Sequence, residues 1–164
     1  MAFVTTFRSP KGNVSRAYNI DFSVGAAADN QPVDVMLVQA LMRILYYEIG
    51  DPFSPPPGDS GIEVDGLFGP VTMRHIADLQ RKIKAGGFAV RLDGVLDPFR
   101  AQGQLSTLAK VRYVLEILND TCFDHCRRRN MPAYKELPSR TDIPTELRGA
   151  LNQPERSTAR KYQR

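Results

Sequence analysis

The chain contains no tryptophan, only two cysteines and two histidines, and no long apolar run among its 164 residues. Cys122 and Cys126 do not make the framework of a disulfide-stapled domain, so a hydrophobic core must carry the fold. They also fall short of a zinc centre. On a helix the two thiols share a face, His125 points roughly 60–100° away, and the other histidine, His75, lies on a different helix, whereas zinc takes four ligands or three plus water. No stretch approaches the ~20 apolar residues that span a bilayer. The opening residues Met1 to Arg8 lack the apolar core of a secretory leader, so synthesis and first residence in the cytoplasm are the expectation. No motif sets a Ser or Cys beside a base and an orienting group. Glu48, Asp51, Glu63 and Asp65 are acids without a pairing that marks a glycosidase. The reading is a non-catalytic chain with no cofactor and no metal.

What the chain has in plenty is punctuation, with twelve prolines and twelve glycines. The length suits one domain plus extensions. Net charge is +4, and it is uneven: ten Lys and Arg against five Asp and Glu follow residue 120. The basic groups Arg127, Arg128, Arg129, Arg160 and Lys161 therefore belong to a C-terminal extension that docks a partner. No nucleic-acid motif accompanies them, so a nucleic-acid role is not expected.

Residues 1–25 read as a β-hairpin. Ala2–Phe7 and Val14–Val24 flank the turn cluster Ser9 to Asn13, and Tyr18, Ile20, Phe22 and Val24 alternate with polar residues. A lone hairpin is marginal in water, so this one needs the helical core or another subunit to lie on. A first helix opens at Pro32 with Asp34 in its first turn, carries Leu37, Val38, Leu41, Ile44, Leu45 and Glu48 on one face, and stops at Gly50. The proline-rich stretch Asp51 to Gly61 reads as a stiff exposed spacer or contact loop. A second helix starts at Pro70, carries Val71, His75, Ile76, Leu79, Gln80 and Ile83 on one side, and ends at Gly86 and Gly87. A third runs from about Gln104 to Asn119 or beyond, on the stripe Leu108, Val111, Leu115, Leu118 and Cys122. Beyond Asn130, four prolines interrupt any longer helix, which predicts an extended arm over 131–164 with a reach of at most about 110 Å.

Two Asp-Gly units lie 28 residues apart, each ahead of a helix. In the first, Ile62-Glu63-Val64-Asp65-Gly66-Leu67-Phe68-Gly69-Pro70-Val71-Thr72, the aspartate caps its own backbone and the glycine takes positive φ. The second, Val90 to Pro98, repeats the pattern around Asp93 and Gly94, with Asp97 as a helix cap ahead of Pro98. With Val38-Gln39-Ala40-Leu41-Met42, the first string resembles the signature of the peptidoglycan-binding-domain-like family, over about residues 30–120. The resemblance implies a mainly α fold with three helices around one core over 26–130, the hairpin at its N-terminus and the arm at its C-terminus. It implies Gly66, Gly69, Pro70 and Gly94 as structural turn residues, Phe68 and Leu96 as anchors of the loops, and Asp65, Thr72, Arg74 and Asp93 as groups that hydrogen-bond a cell-wall ligand. Asp97, where glycine is commoner, and the proline-rich insertion depart from that pattern. Two functions stay open. One is non-catalytic recognition of peptidoglycan. The other is a structural adaptor in a phage tail or contractile injection machine, with protein subunits as partners; a wall-directed virion component satisfies both.

Overall fold

The computed structural model describes residues 1–8, 14–99 and 111–157. Within them the chain is mainly helical, with two small antiparallel sheets. β1 (Phe3–Arg8) and β2 (Val14–Asn19) form the expected hairpin, with Phe3 opposite Asn19 and Arg8 opposite Val14. Its turn cluster, Ser9 to Asn13, lies outside the described residues. The second strand is shorter than expected. The chain leaves the ladder after Asn19 and pairs again only as β3 (Val24–Gly25), against β4 (Val95–Leu96). Alternation predicts a half-buried strand, yet Ala17, Tyr18, Asn19 and Ile20 are all buried while Phe22 is 47% exposed. The cause is a cover on both sides, since the hairpin lies on the chain's own core.

α1 (Pro32–Arg43) opens at Pro32 with Asp34 in its first turn, as expected. It then widens into a π-helical turn, Ile44–Ile49, closed by the Gly50 N–H donating to the Leu45 carbonyl at 3.2 Å. Such turns shift the register of a helix face. Here neighbouring Tyr46 and Tyr47 both reach α2 (Pro70–Ala85), through Asp78 and His75 respectively. α2 ends ahead of Gly86 and Gly87 and buries His75, Ile76, Leu79, Gln80 and Ile83; Val71, expected on that face, is 37% exposed.

The third helix requires a correction. α3 spans Val114–Arg128, and residues 111–113 ahead of it are not helical. Tyr113 is extended and the Arg112 N–H is drawn to the Ala89 carbonyl at 2.9 Å, so the helix cannot continue backwards. The expected start near Gln104, and Leu108 with it, lie outside the described residues. Leu115, Leu118 and Cys122 are fully buried, as their spacing requires.

The extended arm also requires correction. Tyr134, Leu137, Ile143, Leu147 and Leu151 join the same buried cluster as α1 and α3, and α4 (Thr145–Leu151) packs against α1 and β1. Prolines do limit this helix to seven residues. They do not stop its apolar side chains from being buried, at about 1.5–3 kcal/mol for each large one. Arg140 fastens the segment by donating to both oxygens of Glu48 in the π-helical turn and to Asp142. Its guanidinium lowers the Asp142 carboxyl to about 2. Farther on, the Arg156 N–H reaches the Val4 carbonyl at 3.0 Å. Among the described residues no helix is long and apolar enough to cross a membrane.

Candidate functional site

Each Asp-Gly turn is built from its own atoms first. The Asp65 Oδ1 accepts from the Leu67 N–H at 2.9 Å, and the Asp93 Oδ1 from the Val95 N–H at 3.0 Å. Gly66 and Gly94 follow with φ of 77° and 71°, the left-handed values that glycine adopts without strain. Spacing in the sequence predicts this much.

The spacing did not reveal what holds the turns. A glutamine on the preceding helix reaches across to each. Gln39 is 1% exposed on α1. Its Oε1 accepts from the Asp65 and Gly66 N–H groups at 3.0 and 2.9 Å. Its Nε2 faces the Asp65 Oδ1, the Leu67 carbonyl and the Thr72 Oγ1 at 2.8, 3.0 and 3.1 Å. Gln80 on α2 does the same for the second turn. Its Oε1 accepts from Gly94 N–H at 2.9 Å, and its Nε2 donates toward the Asp93 Oδ1 and the Val95 carbonyl at 3.1 and 3.0 Å. A buried amide must find such partners, and a turn supplies unpaired N–H and C=O groups side by side. The available signal was a glutamine inside each apolar stripe, at Val38-Gln39 and Leu79-Gln80.

The four side chains expected to meet a ligand are not brought together. Asp65 and Thr72 share Gln39, but Thr72 is 3% exposed and faces inward. Asp93 belongs to the Gln80 turn, and Thr72 and Gln80 are separated by about 12 Å along α2. Arg74 lies on the outer face of α2, where it clamps Asp59 of the proline-rich loop through Nε at 2.9 Å and Nη2 at 2.7 Å. Those bonds hold the Asp59 carboxyl below its usual range. The loop is accordingly no free strut. Phe53 packs edge-on against His125 at 4.9 Å between ring centres, and Lys82 donates to the Ser54 carbonyl.

Gly69 and Pro70 open α2 as expected, Leu96 is fully buried, and Phe68 packs on the core half-buried. Asp97 accepts from the Ser23 hydroxyl at 2.6 Å, tying the second turn to the strand region. Beneath the first turn, His75 Nδ1–H donates to the Val71 carbonyl at 2.8 Å, which leaves Nε2 to accept from the Tyr47 hydroxyl at 2.8 Å. Partial burial, then the nearby Asp59 charge, raise the Tyr47 phenol. Cys122 and Cys126 are buried and their thiols pushed up, chiefly by desolvation.

The basic residues divide. Arg127 and Arg128 are exposed and make long pairs with Asp124, at 3.7 and 3.8 Å. Arg129 is a structural tie, donating to the Ile49 carbonyl at 2.7 Å and to that of Asp51. Arg160 and Lys161 lie outside the described residues. Outward the two turns present a mixture: Leu67 is 69% and Leu92 54% exposed, with Met73 on α2 at 46%, beside the exposed charges of Glu63, Asp65, Arg91 and Asp93. Comparison of the chain with protein-family models, with curated proteins and with solved structures returned no match in any of the three.

Proposed function

We propose that this protein is a non-catalytic adaptor that keeps a peptidoglycan-binding-like core and uses it to contact protein subunits of a larger assembly. One observation carries the reading. Thr72 and Arg74, two of the groups expected to hydrogen-bond a wall ligand, are engaged within the chain, while Leu67 stands 69% exposed on the first turn and Met73 is exposed on α2. Sugar and stem-peptide recognition calls for convergent polar groups, whereas exposed aliphatic side chains beside charged ones suit a protein surface. A phage tail or contractile injection machine is the assembly to which the family resemblance directs this reading.

A second reading keeps peptidoglycan as ligand. It is favoured by the outer carboxylate oxygen of Asp65, which has no partner among the described residues. Cosedimentation with insoluble sacculi at low and at ~0.5 M salt separates the two, because screening removes weak charge attraction. It is paired with gradient fractionation of cells making the wild-type chain or Leu67→Asp with Met73→Asp. Recovery of the wild type in large particles, lost in the variant, supports the adaptor. Wall retention that survives high salt overturns it in favour of peptidoglycan.

A further inference from the structure

Between β2, the end of α3 and the segment after it lies a half-open groove of about 770 Å³, a size typical of ligand pockets (roughly 300–1,000 Å³). Its walls include Tyr18, Phe123, Cys126, Met131 and Tyr134. The polar atoms of these residues are turned to internal work. The Tyr18 hydroxyl donates to the Tyr134 carbonyl at 2.7 Å, and the Tyr134 hydroxyl donates to Asn119 Oδ1 at 2.7 Å. Burial raises the Cys126 thiol, which leaves it neutral and apolar in character. Tyr18, Cys126 and Tyr134 are at most 3% exposed and form its floor, so the apolar surface it offers comes from the half-buried Phe123 and Met131, with little hydrogen bonding of its own.

Its rim is charged and mostly of one sign. Arg16, Arg127 and Lys135 border it, against Glu136. Arg16 meets Glu155 at 3.2 Å while 75% exposed, and Arg127 meets Asp124 at 3.7 Å while 61% exposed. Exposed pairs of this kind contribute at most about 1 kcal/mol and exchange readily for another carboxylate. Lys135 has no ion-pair partner among the described residues.

We propose that this groove seats an acidic segment of a partner protein, with an aromatic or aliphatic side chain laid on the half-buried Phe123 and Met131 and flanking carboxylates on Arg16, Arg127 and Lys135. The proposal rests on the adaptor reading and names the chemistry of a second contact, separate from Leu67 and Met73. Apolar contact supplies the affinity, and the rim supplies selectivity for acidic over basic partners.

The test is fluorescence anisotropy on the full chain with a labelled hexapeptide, a Leu-Phe centre flanked by two acidic residues on each side. Controls replace the acids with lysines, or the centre with two glycines. The acidic apolar peptide is expected to bind at least about tenfold more tightly than either control. Arg127→Glu with Lys135→Glu is expected to weaken it by about tenfold, while Arg81→Glu with Lys84→Glu, the same charge change on α2, leaves it within about twofold. Equal binding of the lysine peptide, equal losses in both double variants, or no binding at millimolar peptide overturns the groove proposal. If the peptide fails while the chain still enters large particles through Leu67 and Met73, the groove reading alone falls. If particle entry fails while the peptide binds, the adaptor reading falls.

Discussion

The two Asp-Gly turns share a sequence pattern, a positive-φ glycine and a glutamine clasp, yet they are embedded differently. Gln39 meets five groups of the first turn and the start of α2, whereas Gln80 meets three at the second. A methyl group on Gly66 would stand 3.0 Å from both the Met36 Cε and the Pro32 carbonyl oxygen; on Gly94 it would meet nothing within 4 Å. The first turn is thus part of the packing between α1 and α2. The second is held by Gln80 on one side and by the β3 segment on the other, where the Ala26 N–H donates to the Gly94 carbonyl at 3.3 Å, and the Gly94 Cα itself faces open space. A repeated motif reports a shared backbone conformation, and its energetic weight comes from what packs on it.

The largest effect expected from this comparison is at the clasps. Gln39→Ala leaves buried N–H and C=O groups without partners and should cost about 3 kcal/mol, against about 1.5 kcal/mol for Gln80→Ala. Urea unfolding of the two variants reads the difference; equal losses would break the distinction between the turns. Next come the glycines. Gly66→Ala combines left-handed strain with the two close contacts and should cost about 2 kcal/mol, while Gly94→Ala carries the strain alone, at about 1 kcal/mol. Were both to fall by the same amount, the contacts with Met36 and Pro32 would carry no weight.

An alkaline titration sharpens the contrast from the far side of the molecule. Burial raises the Tyr18 and Tyr134 phenols above the ordinary 10.0. The unfolded chain then releases these protons first, so their stabilising effect is complete below about pH 10 and is lost as pH rises beyond it. Unfolding midpoints measured from about pH 9 to 11.5 should fall for the wild type and fall less steeply for Tyr134→Phe. The smallest effect is expected at Arg74. Arg74 is 47% exposed although the Asp59 side chain is only 8% exposed, so Arg74→Ala should lower the unfolding midpoint slightly while speeding proteolysis within residues 51–61. Unchanged cleavage would mean that Phe53 and Lys82 hold the loop without it.

Much of the local framework was readable beforehand because its causes are local. Pro32 and Pro70 preset the φ of a first helical position, Gly86 and Gly87 release α2, and Asp65 and Asp93 fold onto amides two residues away. The candidate site was far less readable. Thr72 and Arg74 have the residue types of a ligand surface, but Gln39 claims one from 33 residues away and Asp59 the other from 15. The tail was misjudged for a related reason. Pro132, Pro138, Pro144 and Pro154 do break helices, but burial asks only that apolar side chains reach a surface, and Tyr134, Leu137, Leu147 and Leu151 do so in short pieces.

Asn119 shows the same limit at its strongest. It sits 1% exposed on α3, gives its Nδ2 to the Tyr18 carbonyl, and accepts from the Tyr18 N–H and the Tyr134 hydroxyl. One amide thereby fastens the hairpin, α3 and the C-terminal segment across a sequence separation of 101 residues. The sequence by itself determined the turns, the openings and stops of α1 and α2, and the apolar stripes, because these follow from backbone sterics and periodicity within a few residues. The tertiary structure alone decided which polar groups face inward, where the hairpin lies and that side chains of residues 134–151 join the core. Those outcomes depend on partners brought close only by folding, and the free energy of a buried hydrogen bond exists only once both halves have met.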